Sequence, residues 1–155
     1  MDRRHENRVE TLQALDDLVE GVVNKLHSSG QLANTYIVFT SDDGYHSGEH
    51  RIIQGKGRPY QEDVHMPLLI RGPGVAAGSS TDKLVLNTDY FPTFTELAGT
   101  PTPSYVDGRS LQPVLTGTAT TTNWRSAILL EAHQSKQGGE TPTYSGILTA
   151  SGTKY

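Results

Sequence analysis

The sequence contains no cysteine, which excludes disulfide bonds, thiolate zinc sites and a cysteine nucleophile and leaves the redox compartment undecided. No asparagine stands in an N-x-Ser/Thr sequon. No apolar run approaches the roughly 20 residues of a membrane span, so no membrane partner is expected. The opening "MDRRHENRVE" has no apolar stretch of the signal-peptide kind, and nothing in it is expected to direct export. Charge of one sign is scarce as well: 13 Lys and Arg against 17 Asp and Glu give a formal net charge of -4. Without a basic run, nucleic acid is not an expected partner. What the chain does have is length enough for a core, at 155 residues. It has 16 glycines and 8 prolines, with most of the prolines late, and the second half is expected to be richer in loops.

From about Glu6 to Ser28 the apolar residues Val9, Leu12, Leu15, Leu18, Val19, Val22, Val23 and Leu26 recur at three- and four-residue steps. This predicts an amphipathic helix, closed near Gly30 by a left-handed cap. "TYIVFT" (Thr35 to Thr40) is β-branched and aromatic without alternation, as for a strand covered on both faces. "MPLLIRGPG" is a second run of this kind and predicts another strand covered on both faces near Pro67 to Arg71. "NTDYFPTFTELAG" predicts a short helix with Pro92 early and Gly99 at its end. This order argues for an α/β layered architecture with a mostly parallel sheet. Later, "SAILLEA" and "YSGILTA" are expected to form two strands, as an antiparallel pair, with Thr116 to Thr122 a surface loop.

The chemistry concentrates in "IVFTSDDGYHSGEHR", Ile37 to Arg51. Asp42 and Asp43 stand at the carboxyl end of the first strand, where open α/β sheets bind ligands. Two adjacent carboxylates repel unless a cation or proton neutralises them, and an oxygen-only donor set suits calcium or magnesium. Asp in a turn also hydrogen-bonds its own backbone, and spacing alone favours that simpler role. "HSGEH" (His46 to His50) matches the H-x-x-E-H pattern of some zinc proteases. That pattern needs a helix, and Gly44 and Gly48 each cost about 1 kcal/mol in one relative to alanine. Lys56, between glycines in "QGKGRPY", could bring a compact positive charge to an anion. Taken alone it is an ordinary loop lysine.

The whole order "NTYIVFTSDDGYHSGEHRIIQGKGRPYQEDVHMPLLIRGPG" resembles the sulfatase family of the alkaline-phosphatase-like superfamily, nearest its arylsulfatase and N-acetylglucosamine-6-sulfatase branch. The flanking "LQALDDLVEGVVNKLHSSGQLANT", "VLNTDYFPTFTELAGTPTP", "DGRSLQPVLTG" and "WRSAILLEA" are similar to family segments in the same order. The resemblance implies hydrolysis of a sulfate ester at a calcium ion held by acidic and amide side chains. Asp42 matches the aspartate contributed by the strand end, and Asp43 takes the place usually held by asparagine. Lys56 matches the lysine that contacts the substrate sulfate and stabilises charge developing there. His46 and His50 lie in the same loop and are candidates for lining the substrate pocket. His65 stands where relatives often carry a basic residue.

The family's formylglycine nucleophile arises from a C/S-x-P-x-R motif, which is absent from this sequence. The upstream aspartate pair and the upstream sulfate-contacting Lys and His have no counterparts, and His5 and His27 do not replace them. The expected fold is therefore a partial alkaline-phosphatase-like α/β layer. Residues 1–100 would be the C-terminal portion of the catalytic domain, and 101–155 a loop-rich segment leading into an incomplete antiparallel subdomain. The partners implied are a sulfate ester or sulfated sugar and the missing N-terminal half of the enzyme. The family suggests a secreted, periplasmic or lysosomal parent. A phosphomonoester or phosphonate hydrolase of the same superfamily, or a non-catalytic anion-binding module, are the alternatives.

Overall fold

The computed structural model describes residues 3–133 and 142–152. The chain forms two compact units. The first comprises the chain up to Ile37 together with Ile70–Pro73. Its main element is helix α1, Arg3–Ser28. The end of α1 follows from Gly30, whose φ of 70° is open to glycine without a Cβ penalty. There the Gly30 amide donates to the His27 carbonyl (3.0 Å) and the Gln31 amide to that of Leu26 (2.9 Å), which satisfies two otherwise unpaired carbonyls. The predicted apolar stripe is present but largely open to solvent: Val9, Leu12, Leu18, Val19 and Val22 are all exposed. In the same unit the Tyr36 hydroxyl donates to the Pro73 carbonyl at 2.6 Å. The ring of Tyr36 lies where a side chain at Gly72 would stand.

Strands β1 (Ile37–Thr40) and β2 (Leu68–Arg71) are neighbours in a two-stranded sheet. Both were expected to be covered on two faces, and in the structure neither is. Every residue of β1 is only half-buried, and β2 alternates, with Leu69 60% exposed. A two-stranded sheet leaves each strand one open edge and too few neighbours to cover its faces.

The second unit holds Val38–Leu69 and the chain from Gly74 onward. Between β1 and β2 it contains the one-turn helix α2, Gln61–Val64. After β2, a 3-10 turn at Asn87–Asp89 runs into helix α3, Tyr90–Leu97. Pro92 lies in the first turn of α3, where a missing N–H costs nothing. Gly99 (φ 69°) closes the helix through the same pair of bonds as Gly30. A short helix α4, Gln112–Leu115, follows. Strands β3 (Ala127–Ala132) and β4 (Tyr144–Thr149) pair antiparallel, with Ala127 opposite Thr149 and Leu129 opposite Ile147. The expected mixture of helices and strands and the antiparallel C-terminal pair are thus both present, as a partial fold. Of the terminal "TASGTKY", residues 153–155 lie outside the described residues.

Among the described residues Leu111, Trp124 and Pro92 are buried apolar side chains, and the other deeply buried groups are polar: His46, Asp63, Asp89 and Thr93. Asp89 is fully enclosed and organises the region after β2. Its carboxylate accepts the amides of Leu86 (2.8 Å) and Arg109 (2.9 Å) and a two-pronged contact from the Arg125 guanidinium. The Thr93 hydroxyl donates to the Asp89 carbonyl (2.6 Å) and accepts the Leu111 amide (2.8 Å). Buried polar groups of this kind hold only when every member has a partner, and no buried side-chain nitrogen or oxygen among the described residues lacks one.

Candidate metal and anion site

The end of β1 turns at Gly44, and the turn is dictated by packing. A Cβ at Gly44 would stand 2.1 Å from the Glu62 carbonyl oxygen and 2.7 Å from the Asp63 carbonyl carbon. The close approach lets the Gly44 amide donate to the Asp63 carbonyl (3.0 Å) and the Tyr45 amide to the Glu62 carbonyl (2.8 Å). Ser41, not an aspartate, holds the turn locally: its hydroxyl donates to the Asp43 carbonyl at 2.8 Å. Among the described residues no backbone amide of this turn is held by the Asp42 or Asp43 carboxylate, so the simpler role expected from spacing does not account for them. Asn87 donates to the Asp42 carbonyl at 3.1 Å, and Tyr90 shares a hydrogen bond with Thr40 (3.1 Å). The segment before α3 thereby braces the strand end.

Lys56 comes to the same place. Its ammonium forms an ion pair with the Asp43 carboxylate. The hydrogen bond to Asp43 and its charge, with a smaller contribution from Asp42, hold the Lys56 pKa above the ordinary lysine range. Both partners keep a solvent face, at 58% and 42% exposure. The structure therefore gathers three of the residues singled out in the sequence, Asp42, Asp43 and Lys56, at the carboxyl end of β1.

The two histidines part ways. His46 is buried (2% exposed), with Nδ1 2.6 Å from Asp63 Oδ1 and Nε2 2.9 Å from the Ile53 carbonyl oxygen. Burial alone would lower its pKa; the hydrogen bonds to Asp63 and Ile53 and the Asp63 charge outweigh burial and raise it. With both ring nitrogens occupied, His46 faces the interior rather than lining an open pocket. His50 is exposed, stacks on Tyr60 with ring centres 3.9 Å apart, and reaches Glu62 Oε2 at 3.4 Å. Its φ of 60° is uncommon for a side-chain-bearing residue.

The zinc pattern is not realised. His46 to Gly48 form no helix, and Glu49–Arg51 make only a 3-10 turn. The Glu49 carboxylate accepts backbone amides, its own and that of Ser47, which lowers its pKa. Among the described residues no group of three or more His, Cys, Asp or Glu could hold a metal. Calcium takes about six to eight oxygens. Asp42 and Asp43 offer the right donor chemistry for a hard cation but only part of a shell. His65 is exposed and meets Gln61 at 3.2 Å. Asp63, Asn87, Asp89 and Arg125 carry much of the geometry around this site, and none stood out in the sequence. No local sequence signal marks them: Asp63 stands between Glu62 and Val64, and Asp89 between Thr88 and Tyr90.

The sulfatase family model matches residues 2–100. An extracellular sulfatase SULF-1 homolog of Drosophila melanogaster is 45% identical over 135 residues, covering 86% of this chain and 12% of that protein. The N-acetylglucosamine-6-sulfatase of Homo sapiens is 42% identical over 132 residues, covering 84% of this chain and 24% of its own length. A solved structure in complex with its substrate D-glucosamine-2-N,6-O-disulfate superposes with a TM-score of 0.83 at 37% identity, covering 90% of this chain and 28% of that one. The chain thus spans between about an eighth and just over a quarter of these relatives' lengths. The ordered segments around Asp42 and Lys56, the shared fold and the match over residues 2–100 agree: the chain belongs to the sulfatase family.

Proposed function

We propose that this chain is the sulfate-clamping and part-metal-binding portion of a sulfuric ester hydrolase whose substrates are sulfated sugars. The observation that carries the proposal is the convergence of Lys56 with Asp43 at the end of β1, inside the matched stretch. In this role Lys56 presents a compact positive charge to the sulfate group, where charge builds as the ester bond breaks. Asp42 and Asp43 would supply oxygen ligands to a calcium ion. When bound, such an ion polarises the sulfate oxygens and templates the substrate. His50, exposed beside Tyr60 and Glu62, would be the residue that meets the sugar in this reading. His46 acts from behind, through the loop it anchors. The sugar class is supported by the names of the human relative and of the substrate in the superposed structure. An extracellular site of action for the parent is in keeping with the Drosophila relative's name.

The sequence holds no C/S-x-P-x-R motif, so the chain by itself is expected not to turn over a chromogenic aryl sulfate. The function is tested by a chimera in which this chain replaces the matched stretch of the human N-acetylglucosamine-6-sulfatase. Sulfate release that disappears with Lys56→Ala is the expected result. A folded chimera that releases sulfate equally well with Lys56→Ala would overturn the role given to Lys56.

A further inference from the structure

Lys56 sits on a flexible four-carbon stem and is well exposed, so its own packing cannot aim it. The backbone around it is fixed instead, and from both sides. One residue before it, Gly55 makes a two-way bridge with His46: the His46 amide donates to the Gly55 carbonyl (2.9 Å) and the Gly55 amide to the His46 carbonyl (3.0 Å). Two residues after it, the Arg58 amide donates to Asp63 Oδ2 at 2.7 Å. The other oxygen of the same carboxylate holds His46 Nδ1 at 2.6 Å, and His46 Nε2 holds the Ile53 carbonyl at 2.9 Å. A single buried carboxylate therefore grips the chain on both flanks of the lysine, with the imidazole as its arm on one side. Gly57, at φ 87°, makes the turn between the two anchor points.

We infer that Asp63 and His46 are positioning residues for the sulfate clamp, holding the Lys56 backbone so that its ammonium is delivered to Asp43 and the substrate sulfate. This rests on the function proposed above for Lys56. Neither residue can touch substrate, being 5% and 2% exposed, so any effect must pass through the loop. The residue types follow from the task. An apolar pair of the same volume would leave the part-buried Arg58 amide without this acceptor and the Ile53 carbonyl without this donor, so nothing would tie the two flanks of Lys56 to the interior.

The test uses the 155-residue chain with ¹³C-labelled lysine, comparing the parent with Asp63→Asn and His46→Gln. Expected is a Lys56 side-chain order parameter that drops to the value of a free lysine in both variants while unfolding remains cooperative. Unchanged Lys56 order in a folded variant would overturn the inference. Should the variants not fold, hydrogen exchange of the parent decides: the Gly55 and Arg58 amides should open together, and independent opening would sink the idea. Inorganic sulfate titrations add a cycle that a merely structural role would not reproduce. His46→Gln should weaken sulfate several-fold when Lys56 is present and not at all in a Lys56→Ala background. If the parent binds no sulfate, the function given to Lys56 fails, while the order-parameter comparison still decides the positioning role.

Discussion

His46 Nδ1 lies 2.6 Å from Asp63 Oδ1 although 17 residues separate the two in the chain. The other ring nitrogen faces the Ile53 carbonyl oxygen, 2.9 Å away. The Ile53 carbonyl accepts and the Asp63 carboxylate can accept, so an imidazolium donating from both ring nitrogens satisfies both, in keeping with the raised pKa that the Asp63 and Ile53 hydrogen bonds give the ring. Pairs of this type are held together only while both charges persist.

The stability of the chain should accordingly depend on pH through His46. Its folded-state pKa is raised above the ordinary value of about 6.5. The pair's contribution is therefore complete below that ordinary value and is lost as pH rises through the raised one. The melting-temperature gap between the parent and His46→Gln should be widest in mildly acidic buffer and should narrow as the solution becomes alkaline. Thermal melts across that range check it, and a gap that widens with pH would contradict the assignment.

Gly44→Ala should be among the most damaging small substitutions. The added methyl would meet the Glu62 carbonyl oxygen at 2.1 Å, and that neighbour is backbone, which cannot swing aside. The strand end and α2 must separate, breaking the Gly44 and Tyr45 amide bonds. A loss of about 1–3 kcal/mol in denaturant unfolding is expected, the range of overpacked interiors. Gly55→Ala is the control. Its Cβ would come no nearer than 3.7 Å to His46, and it should be close to neutral.

These contacts mark what could be read in the sequence and what could not. Helix α1, strand β1, helix α3 and the β3–β4 pair were legible because periodicity, β-branching and end-capping glycines act over a few neighbouring residues. The collinear family segments singled out Asp42, Asp43 and Lys56, and the structure brings Lys56 to Asp43. The burial of His46 was not. In the sequence it stands beside His50 with equal claim to a pocket, and only the return of the chain at Asp63 turns one inward and leaves the other stacked on Tyr60. Asp89 and Arg125 meet across 36 residues, a separation at which no local pattern carries information. The openness of the α1 stripe and of Leu69 was equally hidden, because apolar periodicity reports which face seeks cover and not whether cover is present.

Arg125 should prove irreplaceable by lysine. Asp89 is completely buried and receives two guanidinium nitrogens besides two backbone amides. A lysine offers one point charge where a planar fork is required, and removing the partner altogether leaves an unpaired buried carboxylate. Arg125→Met is expected to cost about 3–5 kcal/mol and Arg125→Lys a substantial part of that. Equilibrium urea unfolding of the two variants gives the comparison. Asp89→Asn combined with Arg125→Met should recover part of the loss, because the buried charge goes with its partner.

Calcium binding by the chain should be set by competition between the ion and Lys56. The lysine ammonium already neutralises Asp43, so a cation that takes the Asp42 and Asp43 carboxylates must displace it. With two carboxylates on offer among the described residues, affinity is expected to be weak, a Kd on the order of 10⁻³ M or higher, at or beyond the weak end of natural calcium sites. Lys56→Gln removes the competitor and should tighten calcium. Asp43→Asn removes a ligand charge and should weaken it further, even though it installs the amide that the family more often carries there. Calorimetric titration orders the three proteins directly, and thermal melts at rising calcium give the same order through the linkage of binding to stability. Calcium affinity unchanged by Lys56→Gln would mean that the ion and the lysine do not share Asp43. The two charges would then act side by side on the sulfate, with no exchange between them.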